Sequence, residues 1–398
     1  MPSGARPGVA DIVRRFAPDY IARYGAKLLP SHKRALFAIA HCRTKAMGGH
    51  VYRCRDCDEN VFVLHGCKNR ACPSCHAGET EAWLEKRRAE MLPCGHFHVT
   101  VTIPSELRDA FRSNQKDLYG LLMKTAAEAV LTLCRDPKHL GATPGILSVL
   151  HTWTGQLSYH PHVHMLVTAG GVSLDGQYWM PSNPRFLIPV KALSRLVRNC
   201  FAKAVKALNP DWLAEMPPIV WTREWVANIQ PWDGGAEGVL RYLARYVKRI
   251  AITDSRILAM DGSHVSFRYK DRKEDGKSVW RTARLTGEEF LRRFLQHVLP
   301  KGFHKIRYSG LWHSKSRLAA SRIRLMMAMQ STTKLIASSI ADPTDDVKTP
   351  NAWTEPPAGF SRCPHCGGTQ LEYVGELRRE SCASIFHGTK EQPRNRSP

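Results

Sequence analysis

The chain has 398 residues, with 58 Lys and Arg against 35 Asp and Glu, a formal charge of +23 with histidine neutral. An excess of that size exceeds what solubility requires and points to a polyanionic partner. With 43% hydrophobic residues and length for two or three domains of about 150 residues each, the composition excludes a disordered basic tail, and no apolar run reaches the ~18 residues of a membrane span. The N-terminal stretch MPSGARPGVADIVRRF lacks an apolar secretory core, so a cytoplasmic, nucleoid-associated protein is expected, with no membrane partner.

Helices are expected over Val9–Tyr24 and Ser31–Met47, the second capped by Ser31. A cysteine-rich segment follows, then a charged helix, Ala77–Met91, and a strand, Phe97–Pro104. A change of composition near residue 92 sets the first boundary. Beyond it the pattern predicts a helix over Gln115–Cys134, paired strands Leu147–Trp153 and Pro161–Thr168, a helix Val190–Leu208 and a strand Arg223–Ile229. After Trp232-Asp233-Gly234-Gly235 comes a helix, Ala236–Ile250, then a β-hairpin turning at Asp261-Gly262. Thr286-x-x-Glu289 reads as a capping box opening Gly287–His297.

From Lys301 to Arg324 there are seven Lys/Arg and no Asp or Glu. That run, with Lys301, Lys305, Arg307, Lys315 and Arg317, suits a face that tracks phosphates, although a solvated helix face gives the same pattern. Residues 341–360 read as a Pro-rich linker, and residues 361–398 as a cysteine-pair knuckle with a polar tail.

Twelve cysteines in a reducing compartment do not suggest a disulfide framework, and six lie between Cys42 and Cys75. Cys54-x-x-Cys57 and Cys72-x-x-Cys75 are fourteen residues apart, and each pair can present two thiolates to one tetrahedral zinc ion. Cys42, His50 and Cys67 are further candidates, so a second ion can be accommodated. Four thiolates leave no open position for a reacting water, which makes the expected zinc structural. Cys363 and Cys366 form half a site that Cys382 and His387 could complete.

His160, His162 and His164 recur at period two, so all three share one face of a strand while Val163, Met165 and Val167 occupy the other. Two imidazoles at that spacing can hold a divalent cation with positions left open for substrate. Tyr242 and Tyr246 are four apart, adjacent on one helical face. They also belong to a Val239, Tyr242, Leu243, Tyr246, Val247, Ile250 stripe of the kind that normally packs into a core. The interleaved Arg245, Lys248 and Arg249 favour contact with DNA.

Taken together, CRTKAMGGHVYRCRDC, CKNRACPSC, HTWTGQLSYHPHVHMLVTAGG, YLARYVKR and FLQHVLPKGFHKIRYSGL resemble the insertion-sequence-ninety-one family of transposases, members of the HUH (His-hydrophobe-His) superfamily of single-strand endonucleases. The resemblance runs from about residue 8 to residue 325. It implies an α+β fold: an N-terminal helical and zinc-binding domain over residues 1–92, then over 93–340 an HUH-type catalytic domain whose central antiparallel sheet is flanked by helices and carries the His pair. It implies His162 and His164 as ligands of a catalytic Mg²⁺ or Mn²⁺, His160 as a candidate third, and Tyr242 and Tyr246 as nucleophiles of a two-tyrosine enzyme. The implied activity is rolling-circle transposition, with single-stranded DNA at transposon ends and target cut and rejoined through 5′-phosphotyrosine. The alternatives are a zinc-dependent DNA-binding regulator or an inactive transposase relic, or a plasmid replication initiator or relaxase of the same superfamily with the same His pair. The regulator would need neither the histidines nor the tyrosines.

Overall fold

The computed structural model describes residues 6–75, 91–232, 238, 251–272, 278–335 and 362–379. Its strands are β1 (Gly49–Cys54), β2 (Asn60–Leu64), β3 (His96–Thr102), β4 (Ala142–Thr143), β5 (Gly145–Trp153), β6 (Tyr159–Thr168), β7 (Gly170–Ser173), β8 (Trp179–Pro181), β9 (Val226–Trp232), β10 (Ile257–Met260), β11 (His264–Arg272), β12 (Ser278–Thr286), β13 (Ile306–Gly310) and β14 (Leu371–Leu377). The principal helices are α1 (Val9–Tyr24), α2 (Pro30–Ala40), α3 (Gln115–Arg135), α4 (Val190–Leu208), α5 (Gly287–Leu295) and α6 (Arg317–Leu335). The expected helices over 77–91 and 236–250 lie outside the described residues, apart from Met91 and Gly238.

Five strands form the central sheet in the order β13-β5-β6-β3-β9, every neighbouring pair antiparallel. Alternation decides its two faces. Phe97, Val99, Val101, Ile146, Leu150, Val163, Met165 and Val167 are buried in one cluster with Leu118, Leu122, Ala126 and Val130 of α3 and Leu193, Val197 and Phe201 of α4. Both helices therefore cover one face, as their apolar stripes require. On β3 and β6 the opposite face carries His98, Thr100, His160, His162 and His164, all half-buried.

A second cluster joins Val9, Ile12, Val13, Phe16, Leu36 and Ile39 of α1 and α2 to Val265 and Phe267 of β11 and Phe290, Leu291 and Phe294 of α5. The N-terminal helices thus share their core with the β10-β11-β12 sheet. Contact is tight: a Cβ on Gly287 would stand 2.3 Å from the Phe16 ring. Thr286 caps α5 by accepting from the Glu289 amide at 3.2 Å, which is one half of the expected capping box; the Glu289 carboxylate bonds Arg292 and Arg293 instead of the Thr286 amide.

Helix α2 differs from expectation at both ends. It opens with Pro30 at its first turn, and neither Ser31 nor any other side chain caps it. It stops at Ala40, seven residues short of Met47, because Arg43 takes a left-handed φ of 56°. That turn delivers Cys42 to the thiol cluster described below.

The third sheet region, β14-β1-β2, sets residues 371–377 beside residues 49–64. β14 pairs with β1 from Gly49 opposite Leu377 to Cys54 opposite Leu371. The C-terminal cysteine pair is accordingly continuous with the N-terminal module. No helix among the described residues is long and apolar enough to cross a membrane.

Candidate metal centres and nucleic-acid interface

The histidine face of the central sheet is assembled by strand register. His162 lies opposite His151 on β5 and opposite Thr102 on β3; His164 lies opposite Val149 and Thr100. One ring nitrogen from each of His151, His162 and His164 falls within 4.8 Å of the others. The expected third member, His160, is not in this group. It sits on the same face, but its Nδ1 accepts from the Arg108 guanidinium at 3.1 Å, and burial first, then the nearby Arg108 charge, lowers its pKa. Among the described residues, the third imidazole of this group comes from the neighbouring strand and not from His160. His151 is on β5 while His162 and His164 are on β6, so only the cross-strand register, His151 opposite His162, brings it to the group, and spacing along one strand could not reveal it.

Surrounding groups fix the rings. His162 Nδ1 lies 2.6 Å from the carbonyl of His160; a carbonyl only accepts, so Nδ1 carries the proton and Nε2 keeps its lone pair. This is the arrangement of a metal-ligating histidine, whose second nitrogen donates to a backbone oxygen. His164 Nδ1 lies 2.9 Å from His98 Nε2, with Thr100 Oγ1 3.3 Å from each. His151 stacks on Trp153 with ring centroids 4.5 Å apart. His98, Thr100 and His151 all escape a reading of the motif alone. The tyrosine helix, with Tyr242, Tyr246, Arg245, Lys248 and Arg249, lies outside the described residues.

Eight of the described cysteines form two groups of four, and the two CxxC pairs expected to share one ion are separated. Cys72 and Cys75 gather with Cys42 and Cys67; Cys54 and Cys57 gather with Cys363 and Cys366. Chain geometry explains the split. Residues between the pairs build β2, so Cys54 and Cys57 occupy the tip of the β1–β2 hairpin while Cys42 and Cys67 occupy its base, roughly 17 Å away for five residues of strand. His50 joins neither group; its ring meets His65 and Tyr373 instead. Cys382 and His387 lie outside the described residues.

In the first group Sγ separations are 3.5 Å for Cys42–Cys75, 3.6 Å for Cys42–Cys72 and 3.7 Å for Cys67–Cys75. All are far beyond a disulfide length of about 2.05 Å and close to the ~3.8 Å edge of a tetrahedron with Zn–S bonds near 2.3 Å. Sulfur hydrogen bonds from Cys67 and then Cys72 pull the Cys42 thiol far down in pKa, against its burial.

Basic residues of the 301–324 segment divide. Lys301, Lys315 and Arg317 are exposed. Arg307 is not presented to solvent in the same way: its guanidinium donates to the Gly120 carbonyl of α3 at 3.0 Å, lies over the Phe303 ring, and is lowered in pKa by burial. Two clefts share His304 at their margins. One, of about 500 Å³, is lined by Arg34, Arg70, Lys301 and Lys305 with Trp153; the other, of about 880 Å³, by Arg317 and Arg324 with Tyr308 and Trp312.

Residues 12–103 match the family model described as "Transposase zinc-binding domain", and residues 145–319, which include His151, His162, His164, Tyr242 and Tyr246, match one described as "Putative transposase". A relative in Sinorhizobium fredii (strain NBRC 101917 / NGR234), named "Putative transposase y4qJ", is 38% identical over 351 residues, covering 82% of this chain and 86% of its own. The transposase for insertion sequence element IS801 of Pseudomonas savastanoi pv. phaseolicola is 28% identical over 287 residues, 68% of this chain and 67% of its own. No solved structure matches the chain. With a zinc-binding domain ahead of a transposase segment, and a relative this similar over most of both lengths, the chain belongs to the IS91 family of transposases.

Proposed function

We propose that the chain is a two-tyrosine HUH transposase that cuts and rejoins single-stranded DNA in rolling-circle fashion. The observation that carries this reading is the convergence of His151, His162 and His164 on the open face of an antiparallel sheet whose other face is sealed by helices. Three imidazoles with ordered outer partners fit a divalent ion, Mg²⁺ or Mn²⁺, which when bound withdraws charge from a phosphate oxygen. A phenol of pKa ~10 is a weak nucleophile, and the interleaved Arg245, Lys248 and Arg249 supply the positive field that favours its ionised form.

In this reading the oxygen of Tyr242 or Tyr246 forms a bond to phosphorus and the bond to the 3′ oxygen breaks. The phenolic proton passes to solvent, and the departing oxygen takes a proton to become a 3′-OH. Phosphodiester energy is conserved in the 5′-phosphotyrosine, so the reverse attack by a 3′-OH rejoins strands without ATP. Two tyrosines let one site hold two broken ends. The two basic clefts, with Trp153 in one and Tyr308 and Trp312 in the other, combine charge with stacking surfaces in the manner of single-strand binding grooves.

The test is adduct formation. Full-length protein incubated with labelled single-stranded oligonucleotide and Mn²⁺ is expected to yield a denaturation-resistant covalent complex that Tyr242→Phe plus Tyr246→Phe abolishes without loss of fold. An adduct persisting in the double variant removes the tyrosines from the chemistry.

A further inference from the structure

We propose that Cys54, Cys57, Cys363 and Cys366 form a second zinc site, split between the two ends of the sequence, that clasps the C-terminal segment to the N-terminal module. This inference does not depend on the nuclease reading. Half of the site lies outside both matched segments, which end at residues 103 and 319, so neither family model accounts for it.

The donor set and its spacing fit zinc. Cys54 Sγ is 3.6 Å from Cys366 Sγ, and Cys57 Sγ is 3.7 Å from Cys363 Sγ across 306 positions of sequence. Those distances match a thiolate tetrahedron and exclude a disulfide. Four soft sulfurs select zinc over Mg²⁺ or Ca²⁺.

The backbone is shaped alike on both halves. Cys54 accepts through its carbonyl from the Asp58 amide at 2.8 Å, and Cys363 accepts likewise from the Gly367 amide at 2.8 Å. Each second cysteine is followed directly by a left-handed residue, Asp58 at φ 62° and Gly367 at φ 77°. The amides of His365 and Gly368 point at Cys363 Sγ and Cys366 Sγ from 3.4 Å, donors that stabilise a thiolate. Of the four non-glycine residues with positive φ among those described, Arg43, Asp58 and Lys68 each follow a cysteine of one cluster or the other. Backbone held in this costly region concentrates at functional sites, and here it concentrates at thiols.

Neighbouring contacts close the clasp. The Arg55 amide donates to the Gln370 carbonyl at 2.9 Å, Arg55 pairs with Glu372 at 3.1 Å, and Tyr373 stacks edge-on against Tyr52. β14 is a seven-residue strand with Tyr373 and Val374 exposed. None of its seven residues is buried, so packing alone holds it weakly and a metal closing this long loop supplies the anchor.

Two measurements test the site. Metal analysis of the full-length protein is expected to give two zinc ions per chain, falling to one in Cys363→Ser plus Cys366→Ser and in Cys54→Ser plus Cys57→Ser. A wild-type content of one ion, or two ions retained by the Cys363/Cys366 variant, overturns the proposal. The second needs no variant: alkylation of native protein followed by peptide mass spectrometry. Cys363 and Cys366 should resist labelling together with Cys54 and Cys57, and all four should become reactive together on chelation. Rapid labelling of Cys366, which is exposed, while Cys54 and Cys57 stay protected equally overturns it.

Discussion

His151 and His160 bring the same imidazole to the neighbourhood of His162, and their partners give them different work. His151 lies within ligand distance of His162 and His164, whereas His160 Nδ1 is held by Arg108. His151→Ala is therefore expected to reduce Mn²⁺-dependent adduct formation about as severely as His162→Ala or His164→Ala, while His160→Ala costs far less; the check is a metal titration of adduct yield at constant DNA occupancy. Equal losses for all four would place His160 in the metal's ligand set after all. A buried histidine elsewhere sets a pH limit. His297 Nε2 faces the Leu157 carbonyl and Nδ1 faces Thr152 Oγ1, both at 3.1 Å. Burial pushes its pKa down to about 4, and burial does the same to His96 and, with help from Arg112, to His32. Because each unfolded imidazole titrates near 6.5, the unfolded chain binds more protons below that pH. Their contribution to stability is complete above about pH 6.5 and is lost as pH falls toward 4. The unfolding midpoint should drop across that window, and a midpoint flat from pH 7 to 4 would contradict the neutral state assigned to them.

Among the elements, α5 carries two separable contributions. Thr286→Ala removes one cap and is expected to cost about 1 kcal/mol. Gly287→Ala forces a methyl group into the Phe16 ring and is expected to cost about 1–3 kcal/mol by displacing α1. Denaturant unfolding of both variants distinguishes these effects, and a Gly287→Ala protein as stable as the parent would mean that α1 moves freely against α5. Local signals explain why some elements were legible. Val9–Tyr24 and Val190–Leu208 fall where their apolar period places them, since an amphipathic stripe is readable from one helix alone. The end of α2 was not, because Arg43 adopts its conformation to serve a cluster built largely from residues after it. For the same reason His162 and His164 were visible in one strand, but His151 required the β5–β6 register. The partners of Cys54 and Cys57 required a strand more than 300 positions away.

At the scale of the whole molecule, the positive charge belongs to surfaces that can be sorted by experiment. Arg317→Ala is expected to weaken affinity for single-stranded DNA and to reduce the slope of log affinity against log salt by roughly 0.7, the value of one phosphate contact. Arg307→Ala is expected instead to lower the unfolding midpoint, because its guanidinium bonds the Gly120 carbonyl of α3. Affinity measured from low to high salt separates the two, and an unchanged slope in the Arg317 variant removes that residue from the DNA path. The pairing of β14 with β1 bears on how the protein is made. On the ribosome β2 emerges soon after β1, but the other flank of β1 must wait for residues 371–377, far later in synthesis. Until then β1 presents a row of unpaired amides and carbonyls, the kind of edge to which another polypeptide adds itself. A chain halted before residue 371 keeps that edge open permanently, so incomplete synthesis favours self-association over release of a free fragment.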